Sequence, residues 1–581
     1  MEKLKKYKFD IINYIILLAV TCVFFSFFWN SMGSFLVDTG REAYFTEGLI
    51  KGKILYKDLF NIYPPLSYQL NSIILHPFDL TINSFRFLGA GIGLLILPTF
   101  YFILRFFTSQ NKSFLTTLLI ISICTLTFND IINFVFPYSY AMLWAMCFLT
   151  FLLICFLGYI KYRKFRLLVL SWVLAGAVFA SKTDFAILYL PMAIFTIYYT
   201  KDVKSCLKCI GAFLSIPLIS YGSLVIQGVS IADFVQNFQT LLKYVSADSN
   251  VYFYTKILPR LIQGNYVAKS FWSDFFTIAF IGISFYIFNA DNLFSKLKHK
   301  KNLLRFIYLW IIILYIANFI ANSRYSYFTV LSFSALPFIN IFIFAFLLYR
   351  FQKRKISEIE KLLLIFQILI FSMSARFFMP VFIWHTSFYI IPFLIMTTII
   401  FLMDILPNYI KNIDRKCFST TIFVCLFIMS GLYVGANFQH RAENCLEIKT
   451  QRGSVLSRSV EEGINGQNLI SYIEENIPSD KSIWVIPEGI MINFLTKHES
   501  FDKHFGLLPF NVTSDGEENI ISDLEKTSPD YIVEAERNMF EYGKAGLGLD
   551  YGIKIAEYIR QNYTLEKTFH EAGSNFRIWR K

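Results

Sequence analysis

Long stretches without a single charge constrain this chain more than any other feature. Ile11 to Trp29 contains no Asp, Glu, Lys or Arg, and comparable runs recur to about residue 436 and then stop. About 20 apolar residues carry a helix across roughly 30 Å of hydrocarbon. Charged residues make up only 16% of the chain, against roughly 25% in soluble domains. The deficit is concentrated in the runs, so the pattern predicts a polytopic α-helical membrane protein.

The basic residues lie between those runs: Lys3–Lys8, Lys161–Arg166, Lys201–Lys208, Lys296–Arg305, Arg350–Lys361 and Lys411–Lys416, with the short Asn111–Lys112 turn on the same side. Such clustering is the positive-inside signal. It accounts for the net charge of +13 without a nucleic-acid partner. Placing these flanks in the cytoplasm predicts about 13 spans, at 11–30, 86–107, 113–129, 138–158, 167–181, 185–200, 209–228, 275–290, 305–321, 328–349, 361–374, 388–406 and 418–436. The first run has no small-residue cleavage site after it and reads as a retained span. An odd count puts the N-terminus in the cytoplasm and the C-terminal domain outside the cell membrane.

Two outer loops are long, 30–85 and 228–274. Both mix aromatics with charges, which predicts helices lying on the membrane surface. Glu42–Lys51 is one candidate, and the segment after Pro64–Pro65 is another, with proline at a helix start. The membrane domain is read as 1–436 and an extracytoplasmic α/β domain as 437–581. In the latter, Leu469–Ile477, Ile520–Glu525 and Ile553–Gln561 read as helices. Ser482–Ile486, Tyr531–Glu534, Leu565–Phe569 and Phe576–Trp579 read as strands, an alternation that suggests mixed α/β packing. Cys206 and Cys209 form a lone C-x-x-C in a basic loop, and with no second pair nearby a metal or redox role is not favoured. His498 and His504 read as surface residues.

The outer side also collects charges from many segments: Asp38, Arg41, Glu42, Asp58, Arg86, Asp130, Lys182, Asp184, Arg324, Arg376 and His385. A charge set into the apolar region costs roughly 2.5–3.5 kcal/mol on insertion scales, so such residues usually face a cavity or a partner. A carboxylate beside several cations at the lipid boundary suits a lipid phosphate and a proton acceptor. Asp38 could deprotonate an acceptor hydroxyl or cap a helix. Glu42, Asp58, Asp130 and His385 are candidates for holding an acceptor or a metal ion, with turn and interfacial roles as the alternatives. Lys182, Arg324, Arg376 and Arg41 are candidates for binding a donor phosphate, since a departing phosphate needs fixed positive charge. For Lys182 the alternatives are a pair with Asp184 or snorkelling to the interface. A divalent metal ion is left open as a cofactor.

The first outer loop carries a resemblance. Asp38-Thr39-Gly40-Arg41-Glu42, then Gly52-Lys53-Ile54-Leu55-Tyr56-Lys57-Asp58-Leu59-Phe60, then Tyr63-Pro64-Pro65-Leu66-Ser67-Tyr68, and finally Arg86, resembles the GT-C glycosyltransferases. The branch it resembles is the bacterial protein-mannosyltransferase-like and aminoarabinose-transferase-like one. Ser528-Pro529-Asp530-Tyr531-Ile532-Val533 and Ile559-Arg560-Gln561-Asn562-Tyr563 resemble that branch's extracytoplasmic domain. The resemblance implies transfer of a sugar, with inversion, from a polyprenyl-phosphate donor to a lipid, glycan or protein acceptor on the outer face. It implies Asp38 as general base and Lys182 at the donor phosphate, with Arg324 and Arg376 as looser matches. Many members carry two adjacent acids where this chain has Asp38-Thr39, a departure that bears on any metal pairing. Two other readings stand beside this one: a glycan polymerase or ligase with a diphosphate-linked donor, and a non-catalytic lipid or solute transporter. The internal repeats and broken spans common in transporters are not seen.

Overall fold

A computed structural model describes residues 2–30, 36, 39–61, 63–126, 133–252, 335–373, 389–409, 415–457, 459–500, 506–570 and 576–581. Asp38, Asp130, Arg324, Arg376, His385 and His504 lie outside the described residues, as do the spans expected at 275–290 and 305–321.

The helices of the membrane domain follow the apolar runs. They are α1 (Glu2–Phe27), α2 (Thr39–Ile50), α3 (Leu66–Leu75), α4 (Ile82–Ile96), α5 (Phe100–Leu104), α6 (Gln110–Thr125), α7 (Tyr140–Tyr162), α8 (Phe165–Ser181), α9 (Tyr189–Thr200), α10 (Val203–Ile226), α11 (Ile231–Ser246) and α12 (Asp248–Tyr252). After the undescribed segment come α13 (Ala335–Gln352), α14 (Glu358–Met373), α15 (Ile391–Ile400) and α16 (Arg415–Asn444). Among the described residues, five stretches are long and apolar enough to cross a membrane: Lys8–Phe27, Ile82–Leu104, Tyr140–Tyr162, Val203–Ile226 and Ile391–Asn408. The chain is a helical membrane protein.

Local chemistry sets the helix ends. Thr81 and Ser84 form a reciprocal capping box at the start of α4, and the Ser139 hydroxyl accepts the Met142 N–H at the start of α7. Asp202 accepts the Lys204 and Ser205 N–H groups at 3.1 and 3.0 Å to start α10. Each cap satisfies donors that a helix N-terminus leaves open. This cap also corrects one expectation: Cys206 and Cys209 lie on the first turns of α10, not in a loop.

Helices meet closely where side chains are small. A methyl group on Gly176 of α8 would collide with the Phe213 carbonyl of α10, so the two backbones approach as small residues permit in membranes. Ion pairs join helix ends at the basic-flank face: Arg105 Nε to Asp10 at 2.8 Å and Lys112 Nζ to Asp404 at 2.8 Å. Between helices, Asn340 donates to the Leu394 carbonyl at 3.2 Å and accepts from Gln367 Nε2 at 2.9 Å.

The expected boundary at 437 falls inside α16, which runs on to Asn444. The sheet-containing C-terminal part follows: a hairpin β1 (Glu447–Thr450) and β2 (Gly453–Leu456), helix α17 (Val460–Asn476), β3 (Ile483–Ile486), α18 (Ile490–Thr496), α19 (Pro509–Asp515), α20 (Glu517–Lys526), β4 (Tyr531–Ala535), α21 (Ile553–Asn562), β5 (Thr564–Phe569) and β6 (Phe576–Arg580). The main sheet has the order β3-β4-β6-β5, with β3 and β4 parallel and the other pairs antiparallel. All four β3 residues are buried, as expected for a strand covered on both faces. His498 corrects the surface reading. The chain turns back at Lys497 with φ +62°, and this buries His498, whose Nδ1 lies 2.8 Å from the Lys481 carbonyl.

The helix expected on the membrane surface at Glu42–Lys51 is instead an interior element. Every residue of α2 from Thr39 to Gly48 is buried. Gly40 sits against Met491 of α18, where a side chain would meet the Met491 backbone. The C-terminal part therefore roofs α2, which explains why a helix of modest apolarity has no exposed face.

Candidate functional site

α2 presents Arg41 and Glu42 in its first turn, and both are buried. Lys182 arrives from a different direction. It ends α8 in extended backbone and starts the 3-10 turn Thr183–Leu188. It is 2% exposed, so it does not snorkel out to water. Its ammonium stands 3.7 Å from the centroid of the Tyr63 ring and 3.8 Å from Asp184 Oδ2. The Arg41 guanidinium lies over the same ring at 4.9 Å. Two cations from distant segments thus share one aromatic ring, a contact worth about 0.5–2 kcal/mol per cation.

The loop between α2 and α3 is built to hold Tyr63 in place. Its carbonyl accepts the Tyr56 hydroxyl at 2.8 Å and Asn61 Nδ2 at 2.7 Å, and its N–H donates to Asn61 Oδ1 at 3.2 Å. Tyr56 adopts φ +68°, uncommon for a bulky residue. That conformation is held by the Tyr56 N–H bond to the Leu59 carbonyl at 2.9 Å. Burial pushes the Tyr56 phenol well above its ordinary value, so it remains a donor to Tyr63. Asp58 stands on the exposed side of this turn, where Oδ2 accepts the Ile54 N–H at 2.8 Å. The structure thus gives Asp58 a loop-closing contact, away from the buried cations.

Glu42 faces hydroxyls. Its Oε1 accepts from Tyr68 at 3.5 Å and from Ser139 at 3.4 Å. Burial, reinforced by the Glu42 charge, raises the Tyr68 phenol well above its ordinary value, which keeps its proton available to the carboxylate. Arg86, fully buried, is spent on structure: Nη1 reaches Asn30 at 3.4 Å and Asn83 at 3.2 Å, and Nη2 reaches the Ser454 carbonyl at 2.9 Å. It ties α4 to β2.

Tyr63, Tyr68 and Ser139 are the site residues that sequence reasoning gave no role. The first two stand in the quoted Tyr63–Tyr68 stretch, which was the available signal. Ser139 offers only a helix-cap pattern. Among the described residues no three His, Cys, Asp or Glu side chains gather as a metal site. A small cleft opens at the junction of α2 and α18, lined by Tyr44, Lys51, Lys53, Lys497 and Glu499 among others. Its Lys51 and Lys53 face Glu47 at 3.0 Å and Glu499 at 3.5 Å.

No family model matches the chain, and no curated protein does. Solved structures with a similar chain path include the Archaeoglobus fulgidus oligosaccharyltransferase AglB in complex with an inhibitory peptide and a dolichol-phosphate. It is 15% identical, with 99% of this chain and 74% of that chain covered, and a TM-score of 0.49. The same organism's oligosaccharyltransferase tethered to an acceptor peptide is 13% identical over 99% and 74%, with a TM-score of 0.49. ArnT from Cupriavidus metallidurans bound to undecaprenyl phosphate is 11% identical over 97% of each chain, with a TM-score of 0.44. At these values the likeness carries no functional argument, and function has to be read from the site.

Proposed function

We propose that this protein is a membrane glycosyltransferase of the GT-C type, which moves a sugar from a polyprenyl-phosphate donor to a lipid, glycan or protein acceptor with inversion. The observation that carries this reading is the meeting of buried Arg41 and buried Lys182 over the Tyr63 ring. Two desolvated cations at the end of a membrane bundle suit a lipid-linked phosphate, whose charge grows as the glycosidic bond breaks. Cations fixed before the reaction stabilise that charge without reorganising.

Asp38 directly precedes Thr39, the first residue of α2. One peptide bond therefore tethers it to the helix that carries Arg41 and Glu42. In the proposed step the Asp38 carboxylate takes the proton of the acceptor hydroxyl as its oxygen bonds to the anomeric carbon. The bond from that carbon to the phosphate oxygen breaks, and its electron pair leaves with the lipid phosphate toward Lys182 and Arg41. Attack and departure on opposite faces give inversion. Glu42, held by Tyr68 and Ser139, fixes the first turn of α2 beside these groups.

Release of free polyprenyl phosphate from a panel of polyprenyl-phosphate sugars tests the reading, with membrane extract as acceptor. The purified wild type should release it and the Asp38→Asn variant should not. Absence of release from every donor by folded wild type would overturn the proposal.

A further inference from the structure

α11 carries five large apolar side chains exposed on one stripe: Ile231 (80% exposed), Val235 (47%), Phe238 (60%), Leu242 (51%) and Val245 (56%). They recur at steps of four and three residues, so they line one face along the whole helix. The other two faces are accounted for. Phe234, Asn237 and Tyr244 pack inward: Asn237 Nδ2 donates to the Tyr56 carbonyl at 2.8 Å, Phe234 meets the Tyr56 ring at 5.5 Å, and Tyr244 packs on Phe60 and Phe510. Gln236, Gln239 and Lys243 form an exposed polar face. A soluble helix has two faces, packed and wet. This one has a third, apolar and uncovered.

Its position says what covers that face. α11 starts a few residues after α10, a membrane-length helix of which only 22% of the apolar window is buried within the protein. The last turns of α10 expose Leu218, Ile219, Val225 and Ile226, and that end is pinned to α3 by Gln69, whose Nε2 donates to the Ser220 carbonyl at 2.9 Å. The stripe on α11 begins a few residues after that exposed apolar end of α10. At the far end the Tyr244 hydroxyl reaches Asp515 of α19 at 3.2 Å, so the helix spans from the end of a membrane helix to the sheet-containing part.

We propose that α11 lies in the lipid interface on the side of the C-terminal domain, with the Ile231–Val245 stripe sunk among acyl chains and the Gln236–Lys243 face in water. Interfacial helices divide their faces in this way. The inward face then sets the Tyr56–Tyr63 loop, through Asn237 and Phe234, at a fixed height relative to the bilayer. The lipid contact does not depend on the transferase reading, and its test needs no turnover.

The full chain, reconstituted in phospholipid vesicles, is irradiated with p-benzoylphenylalanine introduced at position 238, and separately at position 239 on the polar face. A second pair at 242 and 243 covers the case in which the first does not fold. Mass spectrometry should find phospholipid adducts at 238 and 242, several-fold above those at 239 and 243. Equal lipid labelling on both faces, or cross-links from 238 and 242 to protein instead of lipid, would overturn the proposal.

Discussion

The Arg452 guanidinium grips the Glu47 carboxylate with two parallel hydrogen bonds, Nη1 to Oε2 at 2.8 Å and Nη2 to Oε1 at 2.7 Å. Glu47 belongs to α2, and Arg452 to the turn of the β1–β2 hairpin. The Arg452 carbonyl also accepts the Ile82 N–H at 2.8 Å, and its guanidinium lies 4.4 Å from the Phe494 ring centroid. One side chain thus joins the site helix, the start of α4 and the sheet-containing part.

Removing one partner of a buried ion pair costs up to about 3–5 kcal/mol, and less here because Lys51 still pairs with Glu47 at 3.0 Å. Arg452→Ala should therefore lower the apparent Tm in detergent and expose the 445–581 part to protease. The double change Glu47→Leu with Arg452→Leu should recover much of the loss, because it strands no charge. A single variant with unchanged Tm and protease resistance would show that the clamp contributes nothing.

The same pair sets an acid limit. Burial pushes the Glu47 carboxyl up, but hydrogen bonds and charge from Arg452, and then from Lys51, outweigh it and hold the group below its ordinary 4.5. A depressed folded value means the unfolded chain takes the proton more readily. The stabilisation is therefore complete above pH 4.5 and is lost as pH falls through the folded value. Thermal melts in this acidic window should show a steeper loss for wild type than for Glu47→Gln, which has no proton to gain at that position.

Lys182→Ala should impair donor use roughly 100- to 1,000-fold, the usual effect of losing one preorganised group at a developing oxyanion. Tyr63→Leu removes only the ring beneath the two cations, worth about 0.5–2 kcal/mol each. It should therefore show a smaller defect, of the order of tenfold. Initial rates against polyprenyl-phosphate-sugar concentration separate kcat from KM for both. A larger defect in Tyr63→Leu than in Lys182→Ala would contradict the assigned roles.

Asp38→Asn should insert and fold normally yet lose transfer, whereas Lys298→Ala, in a basic flank, should change neither. Size-exclusion profiles and polyprenyl-phosphate release on the same preparations make the comparison. Full activity in Asp38→Asn would remove Asp38 from the base role.

Gly40→Ala places a methyl group inside van der Waals contact of the Met491 backbone. Because backbone must move, the overpacking should cost about 1–3 kcal/mol, read as a drop in apparent Tm. An unchanged Tm would mean that α2 and α18 can part without cost.

By itself the sequence determined the features that are local or periodic. Runs such as Ile11–Phe27 and Tyr140–Tyr162 are helices because they cannot leave backbone polar groups bare in an apolar medium. In the C-terminal part, α20, α21, β4, β5 and β6 fall where apolar alternation and turn residues placed them. The hairpin β1–β2 and helices α18 and α19 were not legible, because short elements carry little periodicity and these gain their stability from neighbours. Charge singled out Arg41, Glu42 and Lys182, since ionisable groups at a membrane boundary are costly without a partner. Only the tertiary structure decided that Arg41 and Lys182 meet over Tyr63, that Asp58 closes a turn instead of joining them, and that Arg86 is spent on Asn30, Asn83 and Ser454. It also decided that α2 is roofed by α18 and locked by Arg452. Each of these depends on which distant surface fills the space beside a residue, and packing partners so far apart in the chain leave no pattern in the sequence around either one.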